Sequence, residues 1–124
     1  MRFMMMVKGD DDYEAGRPPD PKLMEAIGQH TEEMVKKGVV LETGGLLPSS
    51  KGARIRAAGG KLTVIDGPFA EAKELIGGYA ILKASSKDEA IKLGSDFMKL
   101  HQQVLGPEWQ GELEVRQLAE VGCE

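Results

Sequence analysis

The sequence predicts an α+β fold in which a ferredoxin-like antiparallel sheet carries two helices on one face. Its 124 residues fit one domain that spans 1–124. Short apolar segments typical of strands alternate with two longer segments in which apolar residues recur at helical spacing. Their order is strand, helix, strand, hairpin, strand, helix, strand, and a ferredoxin-like sheet satisfies that order.

The chain opens with a strand, a loop and a helix. Phe3–Val7 is a continuous apolar run, which predicts a strand that is buried on both faces. Residues 10–19 are acidic and include glycine and prolines, so they predict a solvated loop. Asp20 can cap the free N–H groups of a helix that starts at Pro21, and Gly38 ends that helix.

The middle of the chain predicts strands joined by tight turns. Val39–Leu47 reads as the second strand. Ala53–Ala57 and Lys61–Asp66 flank a Gly-Gly pair that permits positive φ, so they predict a hairpin. Ala70–Leu75 can form one or two helical turns, and the apolar segment Ile76–Ala84 is the next predicted strand.

The last part of the chain predicts a long helix and a closing strand. Ser86 with Glu89 forms a capping-box pattern at the start of the helix, and Gly106-Pro107 stops it. Glu112–Leu118 alternates apolar and charged residues, which is typical of a strand with one buried face.

Composition excludes several classes of function. The net charge is −4 and no basic stripe is present, so we expect no nucleic-acid surface. No apolar stretch approaches the length of a membrane span, and the one cysteine, Cys123, cannot form an internal disulfide, so we expect a cytoplasmic protein. The two histidines lie on separate predicted helices, so we expect no metal site, and no dinucleotide motif predicts a cofactor.

Two strands are apolar on both faces, and this predicts a partner. Neither Phe3–Val7 nor Tyr79–Leu82 alternates apolar with polar residues. Two helices can cover only one face of the sheet, and a large exposed apolar face is unfavourable in a monomer. We therefore expect a homodimer in which two copies pack sheet to sheet.

One central segment carries a family resemblance. Residues 66–79 read DGPFAEAKELIGGY, and residues 112–116 read ELEVR. These strings resemble the motif and the closing strand of the DGPF branch of the YCII-related family, with Ala72 where threonine is common. The resemblance spans most of the chain and implies a ferredoxin-like fold assembled as a dimeric α/β barrel.

The resemblance also implies candidate chemistry. Some YCII-like proteins carry a proposed acid/base dyad of an aspartate and a histidine on the first helix, and relatives isomerise or eliminate on small cyclic compounds. His30 is similar to that histidine, whereas residues 106–109, where the aspartate is expected, read GPEW. DGPF proteins are often encoded beside sigma factors of the extracytoplasmic-function type, which implies a regulatory context.

His30 and Asp66 are the candidate catalytic residues. His30 lies on the apolar stripe of its helix, where it is expected to face the sheet, and histidine can transfer protons near neutral pH. The alternative is a histidine that is bonded to a backbone carbonyl in that seam. Asp66 could cap the N–H groups after Pro68, or act as a base beside His30. Glu71 could orient His30, or be a solvated charge.

Arg54, Arg56, Glu71 and Tyr79 are the candidate ligand-binding residues. The two arginines share one face of their strand and could hold a carboxylate or phenolate, or form an exposed polar face. Tyr79 could supply a phenol to a cleft, or be a core aromatic. The preceding residues 77 and 78, both glycine, could admit a ligand against the backbone, or mark a bulge.

Three hypotheses for function stay open. A cofactor-free lyase or isomerase acting on a small organic molecule predicts His30 within hydrogen-bond reach of a carboxylate beside a pocket. A non-catalytic small-molecule-binding or regulatory accessory domain predicts an apolar pocket without convergent titratable groups. A purely architectural motif predicts that the segment around Asp66 fixes a turn and the dimer.

Overall fold

The computed structural model of the protein describes residues 1–120, so Cys123 lies outside it. The elements follow the predicted order. The strands are β1 Arg2–Lys8, β2 Val40–Gly45, β3 Ala53–Ala58, β4 Lys61–Asp66, β5 Ile76–Lys83 and β6 Leu113–Gln117. The α-helices are α1 Asp11–Glu14, α2 Pro21–Lys36 and α3 Lys87–Leu105, and 3₁₀ turns span Ser49–Lys51 and Ala72–Glu74.

Four strands form one sheet in the order β2-β5-β1-β6. Every neighbouring pair in it is antiparallel. This is the strand order of a ferredoxin-like unit once the β3–β4 hairpin is set aside, because that hairpin forms a separate two-stranded sheet. The prediction of an α+β, ferredoxin-like fold is therefore confirmed.

The predicted loop over residues 10–19 contains a short helix, α1. Asp10 starts the helix because its carboxylate accepts a hydrogen bond from the Tyr13 N–H at 2.7 Å. The loop prediction is wrong at Asp11–Glu14 because acidic residues that read as solvated charge are also favourable in the first turn of a helix.

Both long helices start at the residues that the sequence predicts. Asp20 accepts a hydrogen bond from the Lys22 N–H at 2.8 Å at the start of α2. At the start of α3 the Ser86 hydroxyl accepts from the Glu89 N–H at 3.1 Å. The Glu89 carboxylate accepts from the hydroxyl and the backbone N–H of Ser85, and these two bonds lower the pKa of Glu89.

The core lies between the sheet and α3. Phe3, Ala84 and Ala90 are buried there, with Leu93 and Val115 packed against them. None of the helices in residues 1–120 is long and apolar enough to cross a bilayer.

The helix α3 packs closely on the sheet at Gly94. A Cβ atom there would lie 3.0 Å from Leu113 Cδ2 and 3.3 Å from Met5 Cε, so these two side chains would have to shift by a few tenths of an ångström to admit one. Because Met5 points toward α3, its neighbours along β1 point to the opposite face of the sheet. That opposite face is where the candidate site lies.

Candidate functional site

The sheet face opposite α3 carries four apolar side chains, which we call the open-face patch: Met4, Met6, Tyr79 and Ile81. Met4 pairs with Ile81 and Met6 pairs with Tyr79 across β1 and β5, so all four share one face. Each is half-buried, whereas the alternating residues of β1, Phe3 and Met5, are buried. The patch is therefore an apolar surface that the long helices leave uncovered.

Three charged residues border this patch. Glu114 pairs with Met6 across β1 and β6, which places it on the open face. Its carboxylate lies 3.1 Å from Lys8 Nζ and 3.4 Å from Arg116 Nη1. Lys8 first, and then Arg116, lower the pKa of Glu114. Two cations share one carboxylate, so this end of the open face carries a local excess of positive charge.

The side chain of Tyr79, in β5, lies over the neighbouring strand β2. A Cβ atom on Gly44, its cross-strand partner, would be 3.1 Å from Tyr79 Cε1 and 3.2 Å from its hydroxyl oxygen. The Thr43 hydroxyl donates to the Tyr79 carbonyl at 2.9 Å and holds this part of β5. The ring occupies space that a side chain at position 44 would fill. Tyr79 is half-buried, and its role in a cleft stays a prediction.

The base of the β3–β4 hairpin is held by a cluster of hydrogen bonds, which we call the hairpin-base cluster: Glu14, Ser49, Gly67 and Phe69. The Glu14 carboxylate accepts from the Ser49 N–H at 2.9 Å and from the Ser49 hydroxyl. The same hydroxyl accepts from the Phe69 N–H at 3.0 Å. All of these bonds are half-buried, and Ser49 links Glu14 of α1 to Phe69, which follows the hairpin.

Gly67 can only be glycine in this arrangement. A Cβ atom there would lie 1.7 Å from the Ser49 carbonyl oxygen, and the Gly67 N–H donates to the Gly52 carbonyl at 3.0 Å. The Gly67–Pro68 peptide is cis.

The capping role expected for Asp66 is wrong, because Ser49 takes the Phe69 N–H instead. Asp66 is exposed at the end of β4, and its carboxylate has no hydrogen bond or ion pair within residues 1–120.

Tyr13 packs on the start of β5. Its ring would lie 3.5–3.6 Å from a Cβ atom on Gly77. Gly77 is the extra residue of a bulge in β5, because Val7 pairs with Gly78 and Lys8 pairs with Ile76. The bulge interpretation of the glycine pair is therefore confirmed.

The Tyr13 hydroxyl is buried without a hydrogen-bond partner in the described part of the chain. The nearby Leu46 N–H already donates to the Gly77 carbonyl at 2.9 Å. Burial, and then the negative charge of Glu14, raise the pKa of Tyr13, while the Leu46 N–H acts in the opposite direction.

The β3–β4 hairpin has two different faces. Arg54 pairs with Ile65 and Arg56 with Thr63, so the arginines share a face as predicted. The Arg54 guanidinium lies 3.8 Å from the centre of the Phe69 ring, a cation–π contact. Neither arginine forms an ion pair in residues 1–120. Both stay exposed, and the structure does not bring them to the open-face patch.

His30 lies between the two long helices. Its ring centre is 6.3 Å from the Phe97 ring of α3, and the side chain is half-buried. It forms no ion pair with a carboxylate of the described residues. Glu71 is exposed next to the 3₁₀ turn at Ala72–Glu74. No observed contact joins His30 to Asp66 or to Glu71, so the acid/base pair stays a prediction.

His101 is the more deeply buried histidine. Its Nδ1–H donates to the Phe97 carbonyl at 2.9 Å, and its ring stacks on Trp109 with centres 4.8 Å apart. The Phe97 ring meets it edge-on at 4.8 Å. These contacts make His101 part of the packing at the end of α3.

Sequence reasoning missed the charged border of the patch and the hairpin-base cluster. Lys8 and Glu114 could have been found from alternation, since Lys8 lies two residues after Met6 and Glu114 lies two residues before Arg116. Glu14 and Ser49 carry no local signal, because their contact depends on α1, which the sequence did not predict.

Comparison with known proteins gives a consistent family match. The model of the YCII-related domain matches residues 1–97. The chain is also 30% identical over 100 residues to "Uncharacterized protein R00369" of Rhizobium meliloti (strain 1021), which covers 81% of this chain and 76% of that protein. The resemblance identified from the sequence is therefore confirmed at the level of the family.

Proposed function

The chain belongs to the YCII-related family, and from this membership we propose that it is a homodimeric protein that binds a small organic anion on the open-face patch. The observation that carries the proposal is the position of Lys8 and Arg116 beside that patch. Ligand sites are typically apolar walls with a few polar groups that fix orientation, and this surface has both parts.

The chemistry of the surface favours an apolar molecule with one anionic group. Methionine side chains adapt to irregular shapes, so Met4 and Met6 can pack against a ring or a short chain. Tyr79 adds an aromatic wall with a hydroxyl at its edge. The cations are only partly neutralised by Glu114, and a carboxylate, phenolate or sulfonate can complete their neutralisation through charge-assisted hydrogen bonds.

A second copy of the chain would complete this site. An apolar sheet face that stays in water is unfavourable, and a twofold arrangement would place the same face of both copies in one chamber. The predictions of a homodimer and of a cytoplasmic location are part of this proposal.

We propose binding rather than catalysis because the candidate acid/base residues do not converge. A lyase or isomerase needs a proton-transferring group within hydrogen-bond reach of the reacting atom. His30 lies in the seam between α2 and α3, and Asp66 lies at the end of the hairpin. Acid/base chemistry at His30 and Asp66, and a regulatory partner, stay predictions.

Titration with anilinonaphthalene sulfonate, an apolar aromatic anion that fluoresces when bound, tests the proposal. Loss of one charge-assisted contact costs about 1.5 kcal/mol, so Lys8→Gln should raise the Kd by about 10-fold. The matched control is Lys99→Gln, in a shallow depression on α3 that is also lined by Gln102, Gln103 and Pro107.

His30→Ala should leave the Kd of the dye unchanged, as should the Lys99 control. Equal Kd values for the wild type, Lys8→Gln and Lys99→Gln would contradict binding at the open-face patch. A large loss of affinity in His30→Ala with a normal fold would instead favour a site between the long helices.

A further inference from the structure

One side of the β3–β4 hairpin carries a cluster of polar side chains, which we call the basic face: Arg54, Arg56, Lys61 and Thr63. Arg56 pairs with Thr63. Arg54 and Lys61 each lie two residues before one member of this pair, so alternation places all four side chains on one side of the ribbon. All four are exposed. Asp66, the one acid of residues 53–66, lies on the other side, so the basic face carries three cations and no carboxylate.

The two hairpin arginines differ from the other arginines of the chain. Those at positions 2, 17 and 116 each form an ion pair with a carboxylate. Arg54 and Arg56 form no hydrogen bond or ion pair with any atom of residues 1–120. The chain has 20 acidic and 16 basic residues, so carboxylates are not in short supply. The N–H donors of these two guanidinium groups are therefore available to an anion from solution.

An aromatic ring holds Arg54 in place. The guanidinium carbon lies 3.8 Å from the centre of the Phe69 ring. Phe69 is half-buried, and its N–H donates to the Ser49 hydroxyl at 3.0 Å, so the ring is anchored at the base of the hairpin. A guanidinium over a ring face keeps the N–H groups at its edge available to an acceptor. Part of the ordering that a ligand requires is therefore already present.

The three cations are close enough to act on one anion. Residues two apart on a strand are separated by about 6.6 Å, so Arg54 and Arg56 are neighbours along β3. Lys61 is the diagonal neighbour of Arg56 across the ribbon, at about 7–8 Å. Like charges at this spacing repel one another, and an anion with two charges between them turns the repulsion into attraction.

We propose that the basic face binds a phosphate group, either as inorganic phosphate or as the phosphomonoester of a small molecule. A phosphate dianion can accept paired N–H bonds from both guanidinium groups, whereas a carboxylate has the oxygens and charge for one. Thr63 lies directly opposite Arg56 and can donate its hydroxyl to the same group. The hairpin is a separate sheet, so this site is distinct from the open-face patch and does not depend on the proposed function.

Titration with inorganic phosphate at constant ionic strength, followed by amide chemical shifts, tests the proposal. The amide signals of β3 and β4 should shift to saturation. Arg54→Gln and Arg56→Gln should each raise the Kd by about 10-fold, the effect of losing one charge-assisted contact. Arg17→Gln is the matched control, because it removes an exposed arginine that pairs with Asp12, and it should keep the Kd of the wild type.

Two comparisons separate phosphate recognition from diffuse positive charge. Arg56→Lys keeps the charge but removes the planar fork, so its Kd should lie between those of the wild type and Arg56→Gln. Acetate carries one charge and should bind about 10-fold more weakly than phosphate. Phenyl phosphate then identifies the form of the ligand, because a Kd below that of phosphate supports a phosphomonoester and a higher Kd supports the free ion.

Three results would overturn the proposal. The first is an equal Kd for the wild type, Arg54→Gln and Arg56→Gln, since Arg56 is exposed and its replacement removes no contact that holds the hairpin. The second is a wild-type Kd in Arg56→Lys, or acetate that binds as tightly as phosphate. The third is a raised phosphate Kd in Lys8→Gln, which would place the ion at the open-face patch. A failure of dye binding at that patch leaves the phosphate site standing.

Discussion

Replacement of Gly67 by alanine should open the base of the hairpin. The new Cβ atom would lie 1.7 Å from the Ser49 carbonyl oxygen and 2.6 Å from its carbonyl carbon. Both are backbone atoms, so no rotamer change can relieve the clash. Real Cβ contacts stay above 3.0 Å, so the two segments must separate by at least 1.3 Å.

That separation breaks the bonds that hold the hairpin. The Gly67 N–H to Gly52 carbonyl bond and the Phe69 N–H to Ser49 hydroxyl bond, both 3.0 Å long, would stretch beyond hydrogen-bond distance. Each half-buried bond contributes about 0.5–1.5 kcal/mol. With residual crowding added, Gly67→Ala should lower the free energy of unfolding by about 2–4 kcal/mol.

Urea denaturation followed by circular dichroism measures this change. Gly28→Ala is the matched control, since Gly28 lies in α2 and, apart from its chain neighbours and the helix backbone, no atom lies within 4 Å of the added methyl group. It should raise the free energy of unfolding by about 0.5–1 kcal/mol, because alanine loses less backbone entropy than glycine in a helix. Hydrogen exchange should be faster at the hairpin amides of Gly67→Ala. A free energy within about 0.5 kcal/mol of the wild type, the usual range for a surface change, would refute the packing argument.

Two further predictions concern titratable groups. Tyr13→Phe should raise the free energy of unfolding by about 1 kcal/mol, because it removes a buried hydroxyl without a partner. Burial holds the pKa of Tyr13 above 10.0, so the wild type should lose more stability than Tyr13→Phe as the pH rises through that raised pKa. The same loss of stability in both proteins would contradict this. Lys8 and Arg116 hold the pKa of Glu114 below 4.5, so its contribution is present above pH 4.5 and lost as the pH falls through the lowered pKa. The urea midpoint of Glu114→Gln should therefore fall less than that of the wild type as the pH is lowered through the acid range. An equal pH dependence of the two midpoints would exclude a role for this carboxylate.

The sequence was a good guide to the fold because the signals for its long elements are local. Asp20 before Pro21, and Ser86 before Glu89, specify helix starts within one turn of chain. The alternation of apolar and polar residues that indicates a strand can likewise be recognised within a few residues. The short helix α1 was not predicted, because acidic residues are equally typical of a solvated loop.

The candidate site was less predictable because it depends on register between distant strands. Tyr79 was expected either in a cleft or in the core, and the structure places it half-buried on the open face of the sheet. Lys8 and Glu114 come from strands at opposite ends of the chain, and only the pairing of β1 with β6 places them together. His30 was placed on the correct helix, but helical periodicity could not show that its ring would meet Phe97 of α3.

The segment that carries the family resemblance has an architectural task in this chain. Gly67 lies where a side chain does not fit. The Phe69 N–H donates to the Ser49 hydroxyl, and the Phe69 ring contacts the Arg54 guanidinium. Asp66 is exposed and takes no part in these contacts. Because these contacts hold the base of the β3–β4 hairpin, a change at Gly67 should perturb the hairpin and leave the open-face patch in place. The segment therefore has a structural explanation that requires no contact with a ligand.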